Sequence, residues 1–177
     1  MTVEEKRNII LCGFMATGKS SVGKRLAAKL HYQFLDMDSL IEEETGMTVP
    51  QIFSSQGESA FRALESRMVE RIAGWTGYVV ATGGGTIVNP QNLETLKRCG
   101  VVISLTADIQ TILLRAGKGD TRPMLQGGDR LERIRQLLEQ REPFYAQADI
   151  ILDTSALNMN QVVSRLMERL REFGLAR

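Results

Sequence analysis

Cysteine and histidine are scarce in this chain of 177 residues, which holds two cysteines, Cys12 and Cys99, and one histidine, His31. Two thiols cannot form a disulfide framework or a four-ligand zinc site. Both stand beside apolar strand-like runs, where buried free thiols are expected. His31 has no partner in any motif and reads as a surface residue. Charge of one sign is also lacking: Lys and Arg number 22 against 21 Asp and Glu, for a formal net charge of +1. The two signs are interspersed, which argues against a nucleic-acid-binding protein. Apolar runs are short. Stretches such as Val101 to Leu105 fall far below the roughly 20 residues of a membrane helix, and Met1 to Asn8 is polar, without the apolar core of a signal peptide. These absences predict a cytoplasmic protein of monomeric size with no membrane or nucleic-acid partner. Nothing repeats or is low-complexity, and Trp75 and the eight methionines are assigned to packing.

What is present is a globular composition, 43% hydrophobic and 24% charged, in a length that suits one sizeable domain. Short β-branched runs alternate with amphipathic stretches, the pattern of an α/β domain with a mainly parallel sheet. Strands are expected at Asn8 to Cys12, Phe34-Leu35, Tyr78 to Thr82, Val101 to Leu105 and Ile150 to Leu152. Helices are expected from about Lys19 to Leu30, along the stripe Phe61, Leu64, Met68 and Ile72, over Asp129 to about Ala146, and along Val163, Leu166, Leu170 and Phe173. Two segments break the alternation. About forty residues, 38–77, separate the second and third strands, and 117–128 is rich in glycine and polar residues around one proline, the composition of a mobile loop. The reading is therefore a single domain with a core at 8–37, 78–116 and 129–177, an acceptor-binding insertion at about 38–77 and a lid at about 117–128.

Gly13-Phe14-Met15-Ala16-Thr17-Gly18-Lys19-Ser20 fits G-x-x-x-x-G-K-[ST] without mismatch, between a buried strand and a helix. Glycines let the backbone wrap a phosphate with successive N–H groups, and the helix N-terminus adds partial positive charge. Lys19 can then reach the β- and γ-phosphates of ATP, and the Ser20 hydroxyl can ligate Mg²⁺. Gly13, Ala16, Thr17, Gly18 and Ser21 belong to the same nucleotide seat. The chain has no guanine-reading N-K-x-D, and its size favours phosphotransfer to a small molecule.

Further residues stand where an acceptor site would be built. Asp36-Met37-Asp38 closes the second strand at the carboxyl edge. Asp38 suits a hydroxyl-orienting carboxylate or, equally in kind, a helix N-cap; Asp36 suits a Mg²⁺-bound water. Glu58, Phe61, Arg62 and Glu65 place two carboxylates within a turn of Arg62, so that arginine is either a surface ion pair or an anion ligand. Gly83-Gly84-Gly85 follows the third strand and presents backbone to a ligand. Arg122 lies in the lid. Arg141 and Tyr145 share a helix face four residues apart, and Arg141 extends an apolar stripe, where it must find a partner or snorkel to solvent.

In order, GFMATGKS, FLDMDSLIE, GESAFRALE, ATGGG, TRPML and REPFYAQAD make the chain resemble the shikimate kinases, over about Ile9 to Asp153. The resemblance implies a P-loop NTPase-type three-layer α/β/α fold with a five-stranded parallel sheet. It implies transfer of the ATP γ-phosphate to the 3-hydroxyl of shikimate, with Mg²⁺. It puts shikimate binding on Asp38, Arg62, the glycine run centred on Gly84, and Arg141, and catalysis on Lys19, Asp38 and the lid Arg122, with Arg115 as a second nucleotide-side arginine. Many members carry glycine where this chain has Ala16.

Overall fold

A computed structural model describes residues 7–117 and 128–176. Along the chain run β1 (Asn8–Cys12), α1 (Lys19–Leu30), β2 (Gln33–Asp36), α2 (Met37–Thr45), α3 (Val49–Gln56), α4 (Glu58–Ile72) and β3 (Tyr78–Ala81). After a 3-10 turn at Thr86–Val88 come α5 (Pro90–Cys99), β4 (Gly100–Thr106), α6 (Ile109–Ala116), α7 (Arg130–Tyr145), β5 (Ile150–Asp153) and α8 (Met159–Glu172). The five strands form one parallel sheet in the order β2-β3-β1-β4-β5.

Central β1, NIILC, is buried along its whole length, as a strand covered on both faces must be. Successive side chains point to opposite faces, and two cores result. Ile9 and Leu11 join Val79, Val101, Ile103, Leu26 of α1 and Leu166 of α8. Ile10 and Cys12 join Val80, Val102, Met68 of α4, Leu96 of α5 and Ile134 of α7. The sheet is thus the middle of three layers. Burial pushes the Cys12 thiol up to about 12, so at neutral pH it is an inert apolar side chain. His31 is exposed and closes α1 in the left-handed region, at φ 55°.

Every expected strand exists: β1 has the expected bounds, β3 is one residue shorter, and β2, β4 and β5 are one or two residues longer, because edge residues such as Gln33 and Asp153 join the ladder through backbone bonds. The stripe on α4 needs correction: Leu64 is half-buried, while Val69 and the carboxylate Glu65 are buried. Phe173 caps α8 and is 38% exposed. The stretch between β2 and β3 holds three helices. α3 announces itself through a capping box between Thr48 and Gln51, with a proline in its first turn. The expected lid, with Arg122, lies outside the described residues apart from Gly117 and Gly128. Among the described residues, no helix is long and apolar enough to cross a membrane.

Candidate active site

All five strands end on one edge of the sheet, and the loops leaving β1, β2 and β3 meet there. Gly13 leaves β1 at φ 131°, and a Cβ on it would stand 2.1 Å from the Leu105 carbonyl oxygen. Only glycine fits both the conformation and the space. The hydroxyl of Thr17, a residue 1% exposed, donates to the Phe14 carbonyl at 2.8 Å and braces the loop from within. Lys19 Nζ donates to the carbonyls of Gly13 and Phe14, at 2.9 Å each. α1 then starts at Gly18 with no side-chain cap and no acid in its first turn. The helices α2, α5, α6 and α8 are instead capped by Asp36, Asn89, Asp108 and Asn158. Uncapped N–H groups at the positive end of a helix, beside an ammonium, form a seat for an anion.

Ala16 occupies the left-handed region, at φ 60°, which costs an L-residue with a Cβ about 1–2 kcal/mol. Glycine would remove that strain and lose about 0.4–1 kcal/mol through the freer unfolded chain. Relief outweighs entropy, so Ala16→Gly should raise the midpoint of thermal unfolding by a few degrees. A lower midpoint would show the loop unstrained at Ala16.

The two aspartates after β2 divide the work. Asp36, not Asp38, caps α2: its Oδ1 accepts from the Asp38 and Ser39 N–H groups, and its Oδ2 accepts from Ser20 Oγ at 2.5 Å. Asp38 is left facing the cleft, where its Oδ1 is buried with no hydrogen-bond partner. Burial, with the neighbouring charges of Glu65 and Asp36, pushes its carboxyl up to about 6 against the opposing pull of Lys19. An orphaned acceptor in a cleft calls for a donor from a ligand.

Arg62 makes the ion pairs its sequence allows and also reaches the cleft. Its guanidinium pairs with Glu65 at 2.6 Å and Glu58 at 3.2 Å, yet it lines the cleft. Glu65 is 1% exposed and also accepts from Thr86 Oγ1 at 2.6 Å, which ties α4 to the turn after β3. The three glycines of that turn supply space. A Cβ would lie 2.5 Å from Glu65 Oε1 at Gly83, 3.1 Å from Arg141 Nη1 at Gly84, and 2.6 Å from Arg62 Nη1 at Gly85. Arg141 does not snorkel. It is 6% exposed, with its guanidinium carbon 5.7 Å from the Phe14 ring centre, and no carboxylate among the described residues pairs with it. A nearly buried cation with no carboxylate partner among the described residues calls for an anion.

A cleft of about 290 Å³ gathers Lys19, Ser20, Asp36 and Asp38 on one side, and Arg62, Gly83-Gly84-Gly85 and Arg141 on the other. Its apolar wall is Met15, Val49, Pro50, Phe53 and Phe61, with the rings of Phe53 and Phe61 5.0 Å apart. Sequence reasoning missed Val49, Pro50 and Phe53 of this wall, along with Glu42 and the structural part of Glu65, because only the three-dimensional approach of α3 and α4 reveals them. Gly13, Ala16, Thr17 and Gly18 of the phosphate loop do not line the cleft, and two further expected residues do not either. Arg115 donates from Nη1 to Thr154 Oγ1 and from Nη2 to the Thr154 carbonyl, 2.9 Å each, at the end of β5; Ser21 is exposed in the first turn of α1. A larger groove of about 850 Å³ between α1 and α8, lined by Arg25, Lys29 and Arg171, shares no residue with the cleft.

Ser20 Oγ and Asp36 are hard oxygen donors in the small number that Mg²⁺ takes from protein when phosphate and water complete its shell. Among the described residues, no group of three or more His, Cys, Asp and Glu side chains could hold a metal unaided.

Comparison with known proteins agrees with this arrangement. The family model described as shikimate kinase matches residues 15–171. A shikimate kinase of Pelotomaculum thermopropionicum is 43% identical over 166 residues, covering 94% of this chain and 96% of the relative. The structure of a shikimate kinase from Acinetobacter baumannii in complex with shikimate superposes with a TM-score of 0.90 at 34% identity, covering 94% of each chain. A gluconokinase from Sinorhizobium meliloti 1021 shares the fold alone, with a TM-score of 0.58 at 18% identity over 93% of this chain and 95% of that one. With a phosphate loop facing an arginine-lined cleft and matches of this extent, the chain belongs to the shikimate kinase family.

Proposed function

We propose that this kinase transfers the γ-phosphate of ATP to the 3-hydroxyl of shikimate, giving shikimate 3-phosphate and ADP. The observation that carries the reading is Arg141, nearly buried and without a described carboxylate partner, in the same cleft as the orphaned Asp38 Oδ1 and the phosphate-loop Lys19. A small acid bearing hydroxyls needs cations and acceptors together. Arg141 and Arg62 grip its carboxylate through charge-assisted hydrogen bonds. Gly83, Gly84 and Gly85 leave the backbone close to it. Asp38 accepts a hydrogen bond from the attacking hydroxyl and holds its oxygen toward the γ-phosphorus.

The loop amides from Gly13, Ala16, Thr17 and Gly18, with the first turn of α1 at Ser20 and Ser21, receive the phosphates. Lys19 leaves the loop carbonyls and meets the β- and γ-phosphate oxygens. Ser20 and Asp36 would hold Mg²⁺, which supplies further charge neutralisation on those oxygens when bound. As the hydroxyl oxygen bonds to phosphorus, the bond from phosphorus to the bridging oxygen of ADP breaks, and the hydroxyl proton is released near Asp38. Because phosphoryl transfer needs chiefly positioning and charge neutralisation, Asp38 acts by orienting. Arg115 and the lid Arg122 complete the nucleotide side in the same reading.

Arg141→Ala tests the acceptor half. The KM for shikimate should rise about 100-fold, the scale on which a charge-assisted bond and an unpaired carboxylate weigh together, with the KM for ATP within twofold. Equal loss of both affinities would place Arg141 elsewhere. Shikimate methyl ester, lacking the anion, should be a correspondingly poor substrate of the unaltered protein.

A further inference from the structure

Tyr145 shares a helix face with Arg141, and nothing in the phosphoryl transfer just described employs it. It is 5% exposed at the end of α7, and its hydroxyl donates to the Gly84 carbonyl at 2.6 Å, sixty-one residues earlier in the chain. Burial pushes the phenol up to about 12, against the pull of the Arg141 cation, so it remains a proton donor at every physiological pH.

That bond fixes more than a carbonyl. The Gly84 oxygen belongs to the Gly84–Gly85 peptide, and no peptide bond among the described residues is cis. In a planar trans peptide the N–H points opposite to the C=O, so a carbonyl turned toward Tyr145 turns the Gly85 N–H away from it. Gly84 and Gly85 line the cleft, and Tyr145 does not. The phenol therefore stands behind the turn. Three consecutive glycines have little intrinsic preference for one peptide orientation, and the neighbouring carbonyls have only local partners: Gly83 accepts from Thr82 Oγ1 and the Thr86 N–H, and Gly85 from the Val88 N–H. The Gly84 carbonyl is held by a side chain from a distant helix, the same helix that carries Arg141.

We infer that Tyr145 is a positioning residue for acceptor binding, holding the Gly84–Gly85 peptide from behind so that the Gly85 N–H and the Arg141 guanidinium face the acceptor's carboxylate together. The inference rests on shikimate being the acceptor and names how its carboxylate site is assembled. A phenol that serves packing alone would leave the acceptor site unchanged when its oxygen is removed.

Tyr145→Phe keeps the ring in the core and deletes only that oxygen. The KM for shikimate should rise about tenfold, the size of one lost hydrogen bond, with the KM for ATP within twofold. The ¹⁵N–¹H resonance of Gly85, shifted by saturating shikimate in the unaltered protein, should shift much less in the variant. A lower unfolding midpoint with unchanged shikimate KM and unchanged Gly85 response would overturn the inference. The unaltered protein, assayed in parallel, separates the two levels: turnover of shikimate with an indifferent Tyr145→Phe sinks the positioning role alone, whereas no turnover of shikimate sinks the acceptor and the positioning role with it.

Discussion

Lys19→Ala should lower kcat/KM for ATP by at least about 10³-fold. The ammonium is the one side-chain cation built into the phosphate loop, held by the carbonyls of Gly13 and Phe14 at 2.9 Å each. Those bonds are exchangeable for phosphate oxygens, so the charge is poised where negative charge gathers in transfer. Removing a single neutral donor at such a place costs about 10²–10³ in rate, and a full charge in a partly buried cleft exceeds that. Steady-state ADP release measures it, with circular dichroism to confirm folding. A rate near that of the unaltered protein would contradict the assigned position.

The second large effect has opposite signs on activity and stability. Asp38→Asn should reduce kcat by at least about 10²-fold, since a neutral amide holds the attacking hydroxyl more weakly than a carboxylate and can turn its NH2 toward it instead. It should also make the unliganded protein more stable at pH 7. The Asp38 carboxyl is pushed from 3.8 up to about 6 by burial, then by Glu65 and Asp36. Between those values the folded protein binds more protons at this group than the unfolded chain, so stability falls as pH rises through the window. Above it the ionised carboxylate is a standing cost. The full gap is worth about 3 kcal/mol; because Asp38 is only half-buried and screened by solvent, about 1–2 kcal/mol is expected. Denaturation at pH 4 and pH 8 gives the check. The variant's advantage should be nearly absent at pH 4 and fully open at pH 8, and an advantage independent of pH would show that charge is not its cause.

This opposition explains why some of the site was legible in the sequence and some was not. The phosphate loop is contiguous, and each of its residue types has a local reason, so Gly13, Lys19 and Ser20 could be read directly. Parallel strands were equally plain, because β1 is apolar on both faces. The aspartate pair was not: Asp38 could be read as the cap of α2, and only the structure gives that task to Asp36, leaving Asp38 Oδ1 without a hydrogen-bond partner. The glycine run was read as backbone offered to a ligand, whereas its missing side chains also make room for Arg62, Glu65 and Arg141. That fit depends on how α4 and α7 approach the turn, which no local pattern encodes. For the same reason Glu65 read as a surface partner of Arg62, although its bond to Thr86 makes it the buried strut between them.

The central claim is that one cleft holds a nucleotide's terminal phosphate and a carboxylated, hydroxylated acceptor in line. ADP formation with Mg²⁺ and ATP, measured with shikimate, gluconate and a nucleoside monophosphate in turn, tests it most directly. Turnover should depend on shikimate and give one ADP per shikimate 3-phosphate; turnover with gluconate or the monophosphate and none with shikimate would contradict it.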